Sequence, residues 1–327
     1  RPTVWLKTIH ERRGTITFAP NFAFALATRS IQDRHMEGWD LSCLRVAGCG
    51  AEPISAAVMR AFADKFARVG LEANSIMPAY GMAEATLAVT FGQWGQPLHV
   101  DRVSSAALKA GRAEPQDTEG SVEVVACGRA LSGFSVEVRD EHGAVAPPRT
   151  VGEIWVRGPS VAAGYYGDAE RTRATFREGW LHTGDLGYAV DGALFVSGRK
   201  KDLIIINGRN YLPHDLEALA SQVEGVRFGQ VVALGMPIGE SRAEGLVLVA
   251  ETARKLDEQP ALRAAIGAKI NESTGLVVAD VVFIQRGTLP KTSSGKVRRS
   301  ETRSRLEDGT LELALANGDS MRPAAED

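Results

Sequence analysis

Four polar, glycine-rich segments stand at the ends of apolar runs, where side chains are free to do chemistry. Tyr80-Gly81-Met82-Ala83-Glu84 follows an expected strand and opens an expected helix over Ala83 to Val89. In open α/β sheets, ligands gather at such strand ends. An aromatic ring there can stack on a base, a glycine admits a close backbone, and a carboxylate can hold Mg²⁺, a hard cation that prefers oxygen. The same residues also read as a plain turn whose acidic residue complements a helix dipole. Thr183-Gly184-Asp185-Leu186-Gly187, directly after Trp180-Leu181-His182, sets an aspartate between glycines. That is a turn residue, or a carboxylate accepting hydrogen bonds from both ribose hydroxyls. Gly198-Arg199-Lys200-Lys201-Asp202 precedes an apolar strand and Asn207-Gly208-Arg209-Asn210. Its basic residues can meet a phosphate or carboxylate, and Asp202 is placed to absorb a hinge rotation; the alternative is a solvated hairpin. Leu289-Pro290-Lys291-Thr292-Ser293-Ser294-Gly295-Lys296 ends in Gly-Lys but is not a phosphate loop. Its glycine spacing is wrong, Val297 follows Lys296, and no suitable helix comes after. It reads as a mobile cationic arm that can close on an anionic transition state and withdraw.

The elements that must position these segments change character along the chain. Strands are expected at Thr15 to Phe18, Leu44 to Ala47 and Ser75 to Met77, alternating with helices at Asn21 to Ser30 and after Pro53, where Val58, Phe62 and Phe66 recur at helical spacing. Pro53 is expected near the first turn of that helix, where its missing N–H costs nothing. Such alternation implies a parallel sheet covered by helices. Residues 92 to 121 are polar and weakly patterned, and read as an insertion or long surface excursion. Short alternating strands follow at Val122 to Val125, Ser135 to Val138, Glu153 to Val156 and Leu194 to Val196, which favours a small antiparallel sheet or barrel. From Asp202 a compact α+β unit is expected, with an Arg-rich and then acidic tail that frays after Ser300. The expected domains are 1–121, with the insertion near 92–121, then 122–201, 202–318 and a tail over 319–327. The expected fold class is α/β: an incomplete parallel-sheet subdomain with helices, a small antiparallel β-barrel-like subdomain, and a compact α+β carboxyl-terminal domain.

Bulk properties narrow the function. With 327 residues and a formal net charge of -2, the chain lacks the basic excess a nucleic-acid binder needs. No apolar run approaches the roughly 20 residues of a membrane helix. Cys43, Cys49 and Cys127 are too few and too irregular for a disulfide framework, and no signal peptide is seen, so a reduced, cytoplasmic protein is expected. The chain opens at Arg1, a hint that the natural protein begins earlier.

Taken in order and spacing, the four segments resemble the adenylate-forming superfamily, from about Arg1 to about Arg305. This resemblance implies a role for each matched position. Gly50-Ala51-Glu52 would line the adenine pocket with Tyr80, Gly81 and Met82, Tyr80 stacking on the base. Glu84 would hold Mg²⁺, Asp185 would accept the ribose hydroxyls, and Arg199 would stand near ribose or phosphate. Asp202 would be the hinge. Lys296 would bridge the acyl carboxylate and the α-phosphate of ATP. Within the superfamily, Ala19-Pro20-Asn21-Phe22-Ala23-Phe24, the run Tyr80 to Leu87 and the block Gly152 to Tyr166 look like the fatty acyl-AMP ligases. Ala83 stands where most of the superfamily carries Thr, and that branch commonly shares the Ala. Residues 92–121 fall where the branch carries an insertion thought to disfavour thioester formation with coenzyme A. The implied partners are a fatty acid and an acyl carrier protein, often of a polyketide or peptide synthase. The superfamily's Ser/Thr/Gly-rich loop ending in Lys would precede all these blocks and is not found in the 327 residues. The expectation is a chain without the amino-terminal part that binds ATP weakly and adenylates little by itself. Two rivals stand beside this reading: an acyl-CoA synthetase and a non-catalytic docking scaffold.

Overall fold

The computed structural model describes residues 1–227, 229–238, 243–292 and 296–314. Ser293, Ser294 and Gly295 of the lysine loop and the expected 319–327 tail lie outside the described residues. The chain divides into two compact units, Arg1–Lys201 and Asp202–Asp327.

The first unit opens with a helix that the strand–helix reading did not anticipate, α1 (Pro2–Arg12), which starts on a proline and buries Leu6 and Ile9. Proline costs nothing at a helix start because its absent N–H would be unpaired there. Next come β1 (Ile16–Ala19), α2 (Asn21–Ser30), β2 (Val46–Cys49), α3 (Ala56–Ala67), β3 (Ile76–Gly81) and β4 (Ala88–Phe91). Strands β1, β2 and β3 are parallel neighbours. Helix α3 begins after Ser55, whose hydroxyl accepts from Val58 N, and Pro53 lies just ahead of that cap. Its buried face carries Met59, Phe62 and Phe66, with Phe24 of α2 edge-on to Phe62 at 4.8 Å between ring centres. Each such ring contributes roughly 1.5–3 kcal/mol by leaving water.

The expected helix from Ala83 to Val89 is replaced by a single 3₁₀ turn, Ala83–Ala85, followed by β4, which turns back antiparallel on β3. Thr86 at φ 69° and ψ -56° breaks any helix, and β-branched Val89 and Thr90 suit a strand. Gly81 makes the reversal possible, since a Cβ there would sit 1.8 Å from the Leu87 carbonyl oxygen.

The chain then adds β5 (Val100–Ser104), α4 (Ser105–Lys109), β6 (Ser121–Val125) and β7 (Arg129–Ala130), the last pairing with β4. Strands β5 and β6 form an antiparallel ladder. Residues 92–121 are therefore partly regular, and Val103 and Ala113 are fully buried in a core shared with Tyr188 and Phe195. The curled antiparallel half-barrel follows: β8 (Ser135–Arg139), β9 (Gly152–Arg157), α5 (Ala169–Thr175), β10 (Phe176–Arg177), β11 (Trp180–Val190) and β12 (Ala193–Arg199). Strand β11 pairs with β9 on one side and with β10 and β12 on the other. Ile154 and Val156 of β9 face inward while Glu153 and Trp155 face outward, the alternation that a half-buried strand requires.

The second unit starts with the hairpin β13 (Ile204–Ile206) and β14 (Arg209–Tyr211), then α6 (Pro213–Ala220). A three-stranded sheet follows from β15 (Val231–Ile238), β16 (Ala243–Glu251) and β17 (Val278–Ile284), with α7 (Gln259–Thr274) before β17. Both faces of this sheet are covered. Val231, Ala233 and Leu248 pack toward α6 and α7, while Val232, Leu234 and Val249 pack with Leu289 and Leu311. Fraying after Ser300 is not what forms: α8 (Arg299–Glu307) is helical, with Thr302 buried and Arg305 paired to Glu301 four residues back. No helix among the described residues is long and apolar enough to cross a membrane, and the three cysteines are free.

Candidate nucleotide and metal site

Strands β3 and β11 bring two of the four segments together. The Tyr80 hydroxyl donates to Asp185 Oδ2 at 2.8 Å across 105 positions of sequence. Arg199, at the end of β12, donates through Nε to Asp185 Oδ1 at 2.7 Å. Burial, and then the Asp185 charge, push the Tyr80 phenol well above its ordinary pKa, so it stays a donor. The carboxylate expected to receive ribose hydroxyls thus has its oxygens already oriented by an aromatic and a cationic partner.

Asp185 does not sit in a turn. It belongs to β11, where three residues, Thr183 to Asp185, stand opposite the single residue Ile154 of β9. This is a bulge, the device that re-aims a side chain out of a ladder. Gly184 adopts φ +70° there, a conformation that favours glycine. The Thr183 hydroxyl donates to Ile154 O at 2.6 Å and accepts from Asp185 N at 3.0 Å, and Gly184 N donates to Glu153 Oε1 at 3.2 Å.

The Gly50-Ala51-Glu52 turn leaves β2 beside β3. A Cβ on Gly50 would lie 2.6 Å from Ala79 O, next to Tyr80, and Ala51 takes φ 71°. Glu52 Oε1 accepts from Phe22 N at 2.7 Å, at the start of α2. Met82 packs on the cluster containing Tyr80, Ala85 and Leu181. Glu84 stands on the 3₁₀ turn, not on a helix, and so has no α-helix dipole to complement. Its Oε1 accepts from the Tyr165 hydroxyl at 2.6 Å, and the Arg171 guanidinium lies 4.1 Å over the Tyr165 ring. The Glu84 turn is tied to the same loop by Ala162 N donating to Glu84 O and by Ser160 Oγ donating to Ala85 O.

Among the described residues, no group of three or more His, Cys, Asp or Glu side chains could by itself hold a metal. A lone carboxylate still suits Mg²⁺, which is commonly bound through one or two carboxylates plus substrate phosphates and water. The donor chemistry at Glu84 therefore fits an ion that arrives with a nucleotide.

Lys296 and Asp202 belong to the second unit. The lysine segment is closed at its base: Arg298 N donates to Pro290 O at 2.9 Å, and Thr292 N to Lys296 O at 2.8 Å. Lys296 N in turn donates to Thr292 Oγ1 at 3.1 Å. Lys291 donates to Gln230 Oε1 at 2.6 Å, and burial lowers its pKa. Asp202, the first residue of its unit, meets Arg299 at 3.4 Å, and Arg299 also meets Glu217 of α6 at 2.5 Å.

Three residues with no role in the sequence reading support the site: Tyr165, Thr183 and Glu153. Thr183 is adjacent to Asp185, and Tyr165 and Glu153 fall in the block Gly152 to Tyr166, so all were within quoted motifs. No spacing rule says that a hydroxyl 81 positions from Glu84 will meet it.

Comparisons with known proteins identify the family. The family model described as AMP-binding enzyme matches residues 1–166. A putative acyl-CoA synthetase of Caulobacter vibrioides is 37% identical over 317 residues, 95% of this chain and 55% of the relative. The long-chain-fatty-acid–AMP ligase FadD28 of Mycobacterium tuberculosis is 36% identical over 318 residues, 91% of this chain and 54% of the relative. A structure from a study of fatty acyl-adenylate ligases from E. coli and L. pneumophila superposes with a TM-score of 0.87 at 37% identity, covering 94% of this chain and 56% of that chain. The chain thus spans about half the length of the curated relatives it matches. With the family model matching residues 1–166 and relatives and a solved structure aligned over nine-tenths or more of its length, the chain belongs to the AMP-binding enzyme family, the adenylate-forming ligases, and is similar within it to fatty acyl-AMP ligases.

Proposed function

We propose that the chain is the carboxyl-terminal portion of a fatty acyl-AMP ligase, which joins a fatty acid to ATP as an acyl-adenylate and passes the acyl group to an acyl carrier protein. The observation that carries this reading is the triad in which Tyr80 and Arg199 orient the Asp185 carboxylate. Such a carboxylate is a ready acceptor for a vicinal pair of ribose hydroxyls, and the neighbouring Gly50–Glu52 turn and Met82 offer walls for a base. In the reaction, a carboxylate oxygen of the acid bonds to the α-phosphorus, the bond from that phosphorus to the bridging oxygen breaks, and pyrophosphate departs with the electron pair. Both reactants are anions, so their approach needs positive charge. Mg²⁺, when bound through Glu84, neutralises phosphate charge. Lys296 supplies the second cation, at the acid and the α-phosphate, and Asp202 is the hinge that lets its unit reorient.

Calorimetry with a non-hydrolysable acyl-adenylate mimic tests this. The 327-residue chain should bind the mimic, and Asp185→Ala should weaken binding by about ten- to a hundredfold, the range for a charged hydrogen-bond acceptor. A wild-type chain that does not bind leaves the scaffold reading in place. A second reading, an acyl-CoA synthetase, is favoured by the likeness to the putative acyl-CoA synthetase of Caulobacter vibrioides. Offering coenzyme A and a carrier protein side by side to loaded enzyme separates the two acceptors.

A further inference from the structure

Two consecutive cations, Arg199 at the end of β12 and Lys200 just after it, are held by two carboxylates, Asp185 in the β11 bulge and Glu153 beside it. Arg199 meets Asp185 at 2.7 Å, and Lys200 meets Glu153 Oε2 at 3.6 Å. Glu153 uses its other oxygen, Oε1, to accept from Gly184 N at the crest of the bulge. Its side chain is only 18% exposed, whereas that of Lys200 is 67% exposed. One carboxylate therefore touches both the backbone that presents Asp185 and the residue two positions ahead of the second unit. A bulge three residues long has few ladder bonds of its own. The Thr183 hydroxyl ties its start and Glu153 ties its middle.

We propose that Glu153 is a positioning residue of the nucleotide site, setting the arch of Thr183–Asp185 through Gly184 N–H and coupling that arch to Lys200 at the end of the first unit. The proposal rests on the reading of Asp185 as the ribose acceptor. Two roles follow from two oxygens, and they separate chemically. A glutamine at 153 keeps a carbonyl oxygen for the Gly184 N–H but loses the charge that attracts Lys200. An alanine loses both.

The test uses the 327-residue chain as wild type, Glu153→Gln and Glu153→Ala, with circular dichroism melts to confirm folding. Calorimetry with the acyl-adenylate mimic should show binding weakened about tenfold in Glu153→Ala, as expected for one lost acceptor of a part-buried N–H, and kept within about threefold in Glu153→Gln. Trypsin cleavage after Lys200 and Lys201, followed by mass spectrometry, should accelerate about two- to fivefold in both variants, the scale of a largely exposed ion pair. Saturating mimic should slow cleavage in the wild type and not in Glu153→Gln. Wild-type affinity in Glu153→Ala, or equal loss in both variants, overturns the positioning role. Unchanged cleavage in both variants overturns the coupling to Lys200. If the wild type binds no mimic, the ribose reading of Asp185 fails and takes the binding role of Glu153 with it, while the cleavage arm still decides the tie to Lys200.

Discussion

The two units hold their candidate chemical groups in opposite ways. In the first, Asp185 and Glu84 are fixed by side chains 105 and 81 positions away in sequence, Tyr80 and Tyr165. In the second, Lys296 is fixed by its own neighbourhood, through Thr292 four residues back and the Pro290–Arg298 closure. A group set by long-range contacts depends on the whole sheet around it and is pre-organised when that sheet folds. A group on a locally closed loop has its backbone held by near neighbours in sequence. Recognition of a nucleoside suits the first arrangement, and a cation that engages only at the moment of reaction suits the second.

The same contrast can be attacked at the glycines, where the largest effect is expected. A Cβ on Gly128 in the first unit would lie 1.7 Å from Phe91 O at φ +79°, whereas Gly275 in the second has φ +72° and no atom within 4 Å. Gly128→Ala should cost about 3 kcal/mol or more because backbone must shift as well as strain, and Gly275→Ala about 1–2 kcal/mol from strain alone. Urea unfolding measures both, and equal costs would mean that the close strand approach at Gly128 does not exist. Next in size is Asp185→Ala, which leaves the buried Tyr80 hydroxyl without its acceptor and should destabilise the first unit by about 1–3 kcal/mol. All five tryptophans, Trp5, Trp39, Trp94, Trp155 and Trp180, lie in that unit, so the fluorescence melt reports on it alone.

Alkali should separate the units by sign. Burial raises the pKa of Tyr80 above 10.0, as it does for Tyr188, and raises the Cys127 thiol from 9.0 to about 12, with Cys49 pushed up also. Each is higher in the folded state than in the unfolded state, so its contribution is complete below about pH 9 and is lost as pH climbs through the folded value. Lys291 in the second unit is lowered from 10.5, the opposite case, so its contribution is complete above 10.5 and is lost as pH falls through the folded value. Raising pH from about 8 to about 11 should therefore lower the tryptophan-monitored midpoint more than hydrogen exchange in β15–β17 accelerates beyond its intrinsic rise. The smallest effect is assigned to Lys296→Ala, expected to move the Tm by less than about 1 °C because the loop is closed by backbone and by Thr292. A large drop would show that the lysine side chain is structural.

Much of the architecture was readable because it is local. Helix α2 runs over Asn21–Ser30 as its periodicity indicates, and most of the expected strands appear within a few residues of their apolar runs. The misreadings share a cause. Ala83 to Val89 has helical composition, but Gly81 and Thr86 let the chain reverse onto β3, and pairing with β3 outweighs a weak helical preference. Residues 299–307 look too charged to order, yet ion pairs of Glu301 with Arg298 and Arg305 and burial of Thr302 support α8. Residues 92–121 look unpatterned because each strand of the β5–β6 ladder is short, and only pairing reveals which face is inside.

The amino-acid sequence by itself determined the family, the order of the motifs, the fold class and the chemical types at Tyr80, Glu84, Asp185, Arg199 and Lys296, because these are properties of residues and their neighbours. Only the tertiary structure decided that Asp185 rides a bulge and not a turn, that Tyr80 and Arg199 donate to it, that Tyr165 donates to Glu84, and that Glu153 accepts from Gly184 N. Hydrogen bonds across 105 positions depend on strand register and on which face of a pleat each residue takes. Those are settled by how sheets pair and pack, and no short window of sequence contains them.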